Sequence, residues 1–155
     1  MKAVIKVKCL CEECKPTISD NGDWIDLRAF TVKTDDRFGL LSLGVAIQLP
    51  PGYEAILASR SSTYKNFHFF MQGGIGVIDN SYCGPDDIWR YPYVKLGRDI
   101  KVRMGDRIAQ FRIQLSQKAT FWQKLKWLFT SGVKLEFVKE LEGDNRGGIG
   151  STGKN

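Results

Sequence analysis

The sequence predicts an all-β fold, a sandwich or a barrel-like closed sheet, that is interrupted by one short helix. Two observations indicate this fold. Stretches of alternating apolar and polar residues recur along the chain, and turns rich in glycine and proline separate them. The predicted strands include residues 4–7, 41–49, 54–58, 100–102, 109–115 and 133–138. The predicted turns lie at residues 21–22, 50–52, 73–74, 84–85 and 104–106.

The helix is predicted between two late strands, over residues 121–129. Its apolar residues recur at helical spacing while Lys124 and Lys126 face away; the apolar stripe consists of Phe121, Trp122, Leu125, Leu128 and Phe129. We expect Thr120 to cap the helix and Gly132 to end it. Such a stripe usually packs against its own domain, and we expect the same here. The tryptophans and the flanking lysines leave a partner protein or a membrane surface as the alternative.

Length and composition are those of one globular domain. The chain has 155 residues, of which 43% are apolar and 26% are charged, and a chain of this size buries about two-thirds of its unfolded surface. The sequence contains no run of eighteen apolar residues and no signal-peptide pattern. We therefore expect a cytoplasmic protein in which residues 1–142 form a single β domain and residues 143–155 form a mobile glycine-rich tail.

The net charge of +6 indicates attraction to an anionic partner. The basic residues are spread along the chain, and no helix-turn-helix, zinc-finger or RNA-binding signature is visible. A small polyanion therefore fits better than a nucleic-acid duplex. We expect no stable binding to nucleic acid or to a membrane.

Cysteine and histidine usage limits the possible chemistry. Cys9, Cys11 and Cys14 are clustered and Cys83 is distant. A zinc site is one interpretation of the cluster, but a second paired knuckle is missing, so reduced and unligated thiols are expected. His68 is the one histidine and lies in an aromatic stretch. It resembles a packing residue more than the base of a catalytic triad.

The C-terminal tail carries a glycine-rich segment at residues 145–153 that is suited to gripping phosphate. Glycines let the backbone approach an anion closely, and Arg146, Ser151 and Thr152 supply donors for phosphate oxygens. The segment is not a Walker loop, which ends in Gly-Lys-Ser/Thr before a helix. The alternative interpretation is a disordered, solubilising terminus.

Four short polar clusters lie beside predicted strands, at residues 24–29, 59–62, 76–84 and 105–110. Asp26 interrupts an apolar strand, and a structural pairing with an arginine is the ordinary expectation for it. Arg60 lies among serines in a group that can hold a phosphate, although such groups are also common turns. Asp79 follows Val77 and Ile78, and partial desolvation there would suit a base that takes a proton from water.

In this order the clusters and the tail resemble the five-motif signature of the trimeric dUTPases, enzymes that split dUTP into dUMP and pyrophosphate. The resemblance covers residues 22 to 153. Residues 22–29 read Gly-Asp-Trp-Ile-Asp-Leu-Arg-Ala, and residues 60–67 read Arg-Ser-Ser-Thr-Tyr-Lys-Asn-Phe. Both blocks are similar to the bacterial and phage branch of that family.

The resemblance implies a jelly-roll or distorted barrel fold and a homotrimer with three active sites at the subunit interfaces. The first, second and fourth motifs would come from one subunit, the third from its neighbour and the tail from the third subunit. Ordering the tail costs about 1 to 2 kcal/mol per residue, and one charge-assisted hydrogen bond returns only about 1.5 to 3 kcal/mol. We therefore expect residues 143–155 to close over a neighbouring active site only when a triphosphate is bound.

The resemblance also implies roles for individual residues. Asp79 is expected to orient and deprotonate the water that attacks the α-phosphorus, and Asp26 to hold water on a Mg²⁺ ion chelated by the triphosphate. Tyr82 is expected to lie against the deoxyribose and the backbone at Gly76 to pair with uracil. Arg60 is expected to brace the site. The other expected substrate contacts are Ser61, Ser62, Gln110, Arg146, Ile149, Gly150, Ser151 and Thr152.

Four features depart from the family pattern. Ile149 stands where most trimeric dUTPases carry the phenylalanine that caps uracil, so residues 89–91 (Trp-Arg-Tyr) are candidates for a substitute stacking plane. His68 replaces the glycine that usually closes the second motif. The helix near Trp122 and the cysteine cluster have no counterpart in the family pattern.

Three alternative functions remain open at this point. A dCTP deaminase shares a related fold but needs a glutamate near the base, where this hairpin has Asp79 and Tyr82. A regulatory protein would use the nucleotide site as a switch and bind a partner through the Trp122 helix. A basic DNA-binding module would bind duplex DNA with a steep dependence on salt.

Overall fold

Two five-stranded sheets form the fold in the computed structural model, which describes residues 1–31, 37–97 and 101–148. The strands are β1 (Ala3–Cys9), β2 (Thr17–Ile18), β3 (Ile25–Arg28), β4 (Phe38–Gln48), β5 (Tyr53–Ser59), β6 (Phe69–Met71), β7 (Ile75–Ile78), β8 (Ile88–Lys95), β9 (Arg107–Leu115) and β10 (Val133–Phe137). The helical elements are a 3₁₀ turn at Glu12–Cys14, α1 (Thr63–Phe67) and α2 (Phe121–Leu128). The all-β prediction is confirmed.

The first sheet has the strand order β10-β1-β4-β8-β6, and the second has the order β2-β3-β9-β5-β7. The β1–β10 pair is parallel and the other pairs are antiparallel. The core lies between the sheets, where Trp89 of β8 meets Phe111 of β9 edge to face at 5.0 Å. Within the described strands the sheets form a sandwich and do not close into a barrel.

Most predicted strands are present, and the differences are as follows. Lys101 and Val102 form no strand, although Val102 is buried, and Ile100 lies outside the described residues. The prediction of a strand at residues 100–102 is therefore wrong for the described part of that segment. Strands β2, β6 and β8 were not predicted, and Pro92 in the middle of β8 weakens the strand pattern there. Pro92 lies opposite Leu40 of β4, and its carbonyl accepts a hydrogen bond from the Gln72 amide.

The predicted helix is present as α2, and Thr120 caps it as expected. The Thr120 hydroxyl accepts from the Gln123 amide at 3.3 Å, and the Gln123 side chain accepts from the Thr120 amide at 2.8 Å. This reciprocal capping box satisfies two backbone donors that the helix would otherwise leave unpaired. Gly132 follows with a φ of +78°, which suits the chain reversal into β10.

Four of the five residues in the apolar stripe of α2 face away from the domain, and Leu125 is half-buried. Phe121, Trp122, Leu128 and Phe129 are 69–74% exposed. The opposite face, with Gln123, lies on the turn at Gly52, where a Cβ would come within 2.8 Å of the Gln123 side chain. The expectation that the stripe packs against its own domain is therefore wrong for these four residues, because the capping box and the contact with the Gly52 turn hold the Gln123 side of the helix inward. No described helix combines the length and the apolar content needed to cross a membrane.

Candidate active site

An arginine cluster forms around Asp26 at one end of the second sheet. The Asp26 carboxylate accepts from Arg60 Nε at 2.8 Å and from Arg107 Nη1 at 3.0 Å, and Asp26 is only 7% exposed. The sheet register places Asp26 opposite Gln110, and Gln110 opposite Ala58. Three of the sequence clusters thus meet at this point. The expected pairing of Asp26 with an arginine is confirmed, and Arg107 is a second partner that sequence reasoning missed.

The loop after β5 presents polar side chains beside this cluster. Arg60 Nη1 donates to the Ser62 hydroxyl at 3.3 Å, and Ser61 is exposed. Buried Thr63 anchors the loop, because its hydroxyl accepts from the Arg60 amide and donates to the Ile108 carbonyl at 2.8 Å. The predicted group of Arg60, Ser61, Ser62 and Gln110 is therefore brought together next to Asp26. We call these five residues the arginine half-site.

Asp79 lies elsewhere, on the turn after β7. The Tyr82 amide donates to the Asp79 carbonyl at 3.0 Å, and the Asn80 side chain donates to the Leu49 and Pro50 carbonyls, so the turn is held firmly. The Asp79 side chain is 58% exposed. In the single chain the expected partial desolvation of this carboxylate is absent.

Tyr82 and Gly76 flank Asp79 on the hairpin. The Tyr82 hydroxyl donates to the Ile88 carbonyl at 3.1 Å, and burial, followed by the nearby Asp87 carboxylate, raises the pKa of Tyr82. Tyr82 is therefore a fixed ring and not an acid or base at neutral pH. Gly76 of β7 lies opposite Leu57 of β5. Its neighbours along the strand, Ile75 and Val77, are exposed apolar residues, so the backbone at Gly76 borders an open surface.

The start of the tail docks on this hairpin within the same chain. Arg146 Nη1 donates to Asp79 Oδ2 at 2.8 Å, with the two side chains 36% and 58% exposed. Together with Gly76, Asp79 and Tyr82, Arg146 forms what we call the hairpin half-site. Ile149, Gly150, Ser151 and Thr152 lie outside the described residues.

An open cleft of about 600 Å³ adjoins this half-site. Its lining includes Asp79, Asn80, Ser81, Arg146, Glu54 and Lys118. Clefts of this size are typical of small-molecule sites. The cation of Arg146 and the carboxylate of Asp79 therefore face a space large enough for a small ligand.

The two half-sites lie at opposite ends of β5. Asp79 directly follows Ile78, which pairs with Ala55, whereas Arg60 follows the last residue of β5. At about 3.3 Å per residue, the part of β5 that separates these two positions is roughly 15–20 Å long. One chain therefore does not bring Asp79 and Arg60 to the same ligand atom.

Residues 89–91 offer one candidate for stacking on a base. Trp89 and Tyr91 are buried in the core, at 1% and 0% exposure, and Arg90 is exposed. A Cβ on Gly148 would lie 3.6 Å from Arg90 Nη1. Of the three residues only the Arg90 guanidinium can meet a ligand, and it lies beside the tail.

The cysteine cluster lies away from both half-sites, at the end of β1. The sulfur atoms of Cys11 and Cys14 are 2.7 Å apart, and burial raises the pKa of Cys9 to about 11 and of Cys14 to about 12. The described residues contain no group of three or more metal-binding side chains.

A model of the dUTPase family matches residues 23–125, a stretch that includes the arginine half-site and Asp79. The chain belongs to the dUTPase family. The SPbeta prophage-derived deoxyuridine 5'-triphosphate nucleotidohydrolase YosS of Bacillus subtilis (strain 168) is 45% identical over 153 residues, which cover 96% of this chain and 97% of that protein. The deoxyuridine 5'-triphosphate nucleotidohydrolase of Helicobacter pylori (strain P12) is 32% identical and covers 74% of this chain and 70% of its own length.

Solved dUTPase structures share the fold. The dUTPase from Streptococcus mutans superimposes with a TM-score of 0.62 at 19% identity, covering 69% of this chain and 89% of that one. The dUTPase from phage phi11 of S. aureus, described with a species-specific insert, has a TM-score of 0.58 at 19% identity. The match covers 76% of this chain and 93% of that one. The jelly-roll expectation for this dUTPase is thus confirmed.

Proposed function

We propose that this dUTPase-family chain hydrolyses dUTP to dUMP and pyrophosphate, with water attacking the α-phosphorus. The relatives from Bacillus subtilis and Helicobacter pylori carry that activity in their names. The observation that carries the proposal is the Asp79 carboxylate, exposed on a firmly held turn, beside Arg146 and open to a ligand-sized cleft. A carboxylate so placed can accept a proton from water, and the arginine can bind phosphate.

In the proposed reaction Asp79 orients the attacking water and takes its proton. Displacement at phosphorus depends mainly on alignment of the nucleophile and on neutralisation of charge, so no nucleophilic side chain is needed. Arg146 leaves Asp79 for the phosphate chain when substrate binds. Since both side chains of this pair are partly exposed, the pair is weak, and a triphosphate can replace it.

The arginine half-site neutralises the developing negative charge. Arg60 is held by Asp26 and Ser62, so its guanidinium is oriented before substrate arrives. Exposed Ser61 and the Gln110 amide, which donates to the Ser59 carbonyl at 3.2 Å, add polar groups for phosphate oxygens. A pre-oriented site of this kind favours the transition state because no reorganisation is needed during reaction.

We propose Mg²⁺ as the cofactor. The described residues provide no cluster of carboxylates for a protein-held metal, and Asp26 already binds two guanidinium groups. This donor set fits an ion that is chelated by the triphosphate and touches Asp26 through water, since Mg²⁺ keeps its waters and prefers phosphate oxygens. The ion would supply charge neutralisation at the phosphates.

We propose a homotrimer, because the half-sites are too far apart within one chain. A second copy that brings its hairpin to the arginine half-site would complete a site, and exposed Ile75 and Val77 beside Gly76 would be covered in the process. Residues 149–155, with Ile149, Gly150, Ser151 and Thr152, then close over a neighbouring site. The mobility of that segment stays a prediction.

Specificity for uracil and deoxyribose is assigned to the hairpin. The backbone at Gly76 would pair with uracil, and the fixed ring of Tyr82 would exclude a ribose 2′-hydroxyl. Cytosine would leave buried hydrogen-bonding groups unmatched, which can cost roughly four to five decades in specificity. Arg90 or Ile149 would cover the other face of the base.

The outward apolar stripe of α2 favours a second role, binding of a partner protein. Four large apolar side chains at 69–74% exposure on one short helix are unusual for a surface. Replacing Trp122 and Phe129 by serine tests this role. The role is supported if the wild-type protein retains a partner, the variant loses that partner, and the variant hydrolyses dUTP as the wild type does. A wild-type protein that retains no partner, or a variant that loses its trimer, contradicts it.

One assay tests the main proposal. Pyrophosphate release is measured from dUTP, dCTP, dTTP, dATP and dGTP, with and without Mg²⁺, alongside ammonia release from dCTP. We expect Mg²⁺-dependent release from dUTP alone. Ammonia from dCTP would indicate the deaminase instead, and release from all five nucleotides would contradict the assigned specificity.

A further inference from the structure

Two thiols that the proposed reaction does not use lie in contact after the end of β1. The Sγ atoms of Cys11 and Cys14 are 2.7 Å apart, and both cysteines are free. Since an S–S bond is about 2.04 Å long, a movement of about 0.7 Å would join them. The reduced pair is therefore already arranged for a disulfide.

The backbone brings these two residues together. Cys11 precedes the 3₁₀ turn, and the Cys14 amide donates to the Cys11 carbonyl at 3.4 Å. Such a turn places its first and fourth residues within about 7 Å of each other, close to the Cα separation of about 4.4–6.8 Å that a disulfide accepts. Residues 11–14, which we call the thiol turn, also have the Cys-x-x-Cys spacing of thiol–disulfide exchange sites.

The protein interior fixes the sulfur of Cys14. Cys14 is 0% exposed, and a Cβ on Gly44 would lie 2.7 Å from its sulfur atom. Gly44 has a φ of +65°, which a side chain there would rarely adopt. The Cys14 thiol is therefore packed against β4 and faces its partner from a fixed position.

An open cavity of about 410 Å³ reaches only one thiol of the pair. Cys11 lines it, together with Lys15 and Lys139, and Cys14 is not part of the lining. Glu12 also lines the cavity and pairs with Lys15 at 2.7 Å. A small reagent meets Cys11 first, and the two lysines favour one that carries carboxylates.

We propose that Cys11 and Cys14 are a reversible thiol–disulfide pair that exchanges with a low-molecular-weight disulfide carrying carboxylates, which enters this cavity. Cys11 attacks one sulfur of the reagent, forming a mixed disulfide and releasing one reagent thiol. Cys14 then attacks the Cys11 sulfur, forming the Cys11–Cys14 bond and releasing the second reagent thiol. The protein sulfurs lose two electrons, the reagent gains them, and the two protons leave on the released thiols.

The environment of each thiol sets this order of attack. Burial, followed by the hydrogen bond with Cys11, raises the pKa of Cys14 to about 12, so Cys14 stays protonated at neutral pH and is a poor first nucleophile. Burial also raises the pKa of Cys9, the other cysteine in the cavity, to about 11. The second step is intramolecular, and effective concentrations of about 10⁵ M or more offset the low reactivity of Cys14 there.

The thiol turn supports a segment that leads to the arginine half-site. The carbonyl of Lys15, directly after the turn, accepts from Arg28 Nε at 3.2 Å, and Arg28 Nη1 donates to the Gly105 carbonyl at 2.9 Å. Gly105 is two residues before Arg107, which binds Asp26. Because the sulfurs are already in contact, oxidation would stiffen this support and leave the geometry of the half-site unchanged.

The first test is chemical. Reduced protein is incubated with oxidised glutathione, the remaining thiols are alkylated, and mass spectrometry with peptide fragmentation locates any disulfide. We expect a Cys11–Cys14 bond that excess reduced glutathione opens again. The matched control Cys9→Ser should form the same bond, and Cys11→Ser should form none. A wild type that keeps four free thiols, a bond that reduced glutathione does not open, or a disulfide that persists in Cys11→Ser overturns the proposal.

A second test addresses the charge of the reagent. Lys139→Gln is expected to slow oxidation by oxidised glutathione at least about twofold and not to slow oxidation by the dication cystamine, because the lysine attracts anions. Equal slowing with both reagents, or no slowing with glutathione, overturns the assignment of an anionic reagent.

A third test addresses the stiffening. Amide hydrogen exchange at Cys14 and Lys15, whose amides donate within the turn, is compared in the reduced and oxidised protein. We expect exchange at least about threefold slower after oxidation, because local opening governs exchange. Equal exchange in the two states contradicts the stiffening. None of the three tests uses dUTP, so a failure of the proposed hydrolysis is distinguishable from a failure of the thiol pair.

Discussion

Asp79, on the turn after β7, and Arg60, directly after β5, lie beside opposite ends of β5, roughly 15–20 Å apart along the sheet. Asp79 is the proposed base, and Arg60 is the proposed phosphate-side cation. A single active centre that uses both must therefore draw them from different copies of the chain.

Asp79→Asn is expected to reduce pyrophosphate release from dUTP by about 10² to 10⁴-fold, because a positioned general base contributes that much. Binding of a non-hydrolysable dUTP analogue should persist, since the asparagine keeps the shape of the site. Kinetics and calorimetric titration measure the two effects. Asp20→Asn, an exposed aspartate, is the control. Hydrolysis within threefold of wild type in Asp79→Asn would refute the base assignment.

Asp26→Ala is expected to lower the free energy of unfolding by about 3 kcal/mol, because it leaves Arg60 without its buried counter-charge. The midpoint of urea unfolding measures the change. Asp20→Ala, on the surface, should stay within about 0.5 kcal/mol of wild type. Equal midpoints for the two variants would show that the Asp26 cluster does not stabilise the fold.

Replacing Trp122 and Phe129 by serine is expected to change the free energy of unfolding by less than about 0.5 kcal/mol per site, because both side chains are exposed. Leu43→Ala in the core should cost about 2–5 kcal/mol by contrast. Thermal unfolding compares the variants. A large loss in the α2 variant would mean that the stripe is covered in the assembled protein.

Stability is expected to fall as the pH rises from about 9 to about 12. Burial raises the pKa of Tyr91 and of Cys14 to about 12, above the ordinary values of 10.0 and 9.0 that apply in the unfolded chain. Between the two pKa values the folded state keeps protons that the unfolded state has released. The stabilisation from each group is therefore fully present below the pKa of the unfolded chain and is lost as the pH rises to the pKa of the folded chain. Each group contributes up to about 1.4 kcal/mol per pH unit there.

Urea unfolding at pH 8 and at pH 10.5 measures this effect. Tyr91→Phe removes one titrating group and should show a smaller decline over the interval. A free energy of unfolding that stays constant, or rises, between the two pH values would contradict the sign of the shifts.

The sequence was informative where local patterns decide the structure. Most strands follow from alternation, the cap of α2 follows from Thr120, and the pairing of Asp26 was expected. The orientation of α2 was not predictable, because the turn at Gly52 that holds its polar face is a tertiary contact. Strand β8 was missed because Pro92 obscured it.

The site was predicted in part. The arginine half-site could be read from ordered motifs, but its distance from Asp79 depends on strand pairing that no local pattern gives. The roles of the site residues stay predictions.

Subunit complementation tests the central claim most directly. Asp79→Asn and Arg60→Ala, each inactive alone, are co-refolded so that mixed oligomers form, and pyrophosphate release from dUTP is measured. If each site combines Arg60 of one copy with Asp79 of another, about one quarter of the sites in a random mixture regain both residues, and activity returns to about that fraction. A mixture that forms mixed oligomers and stays as inactive as its components would contradict a site shared between copies.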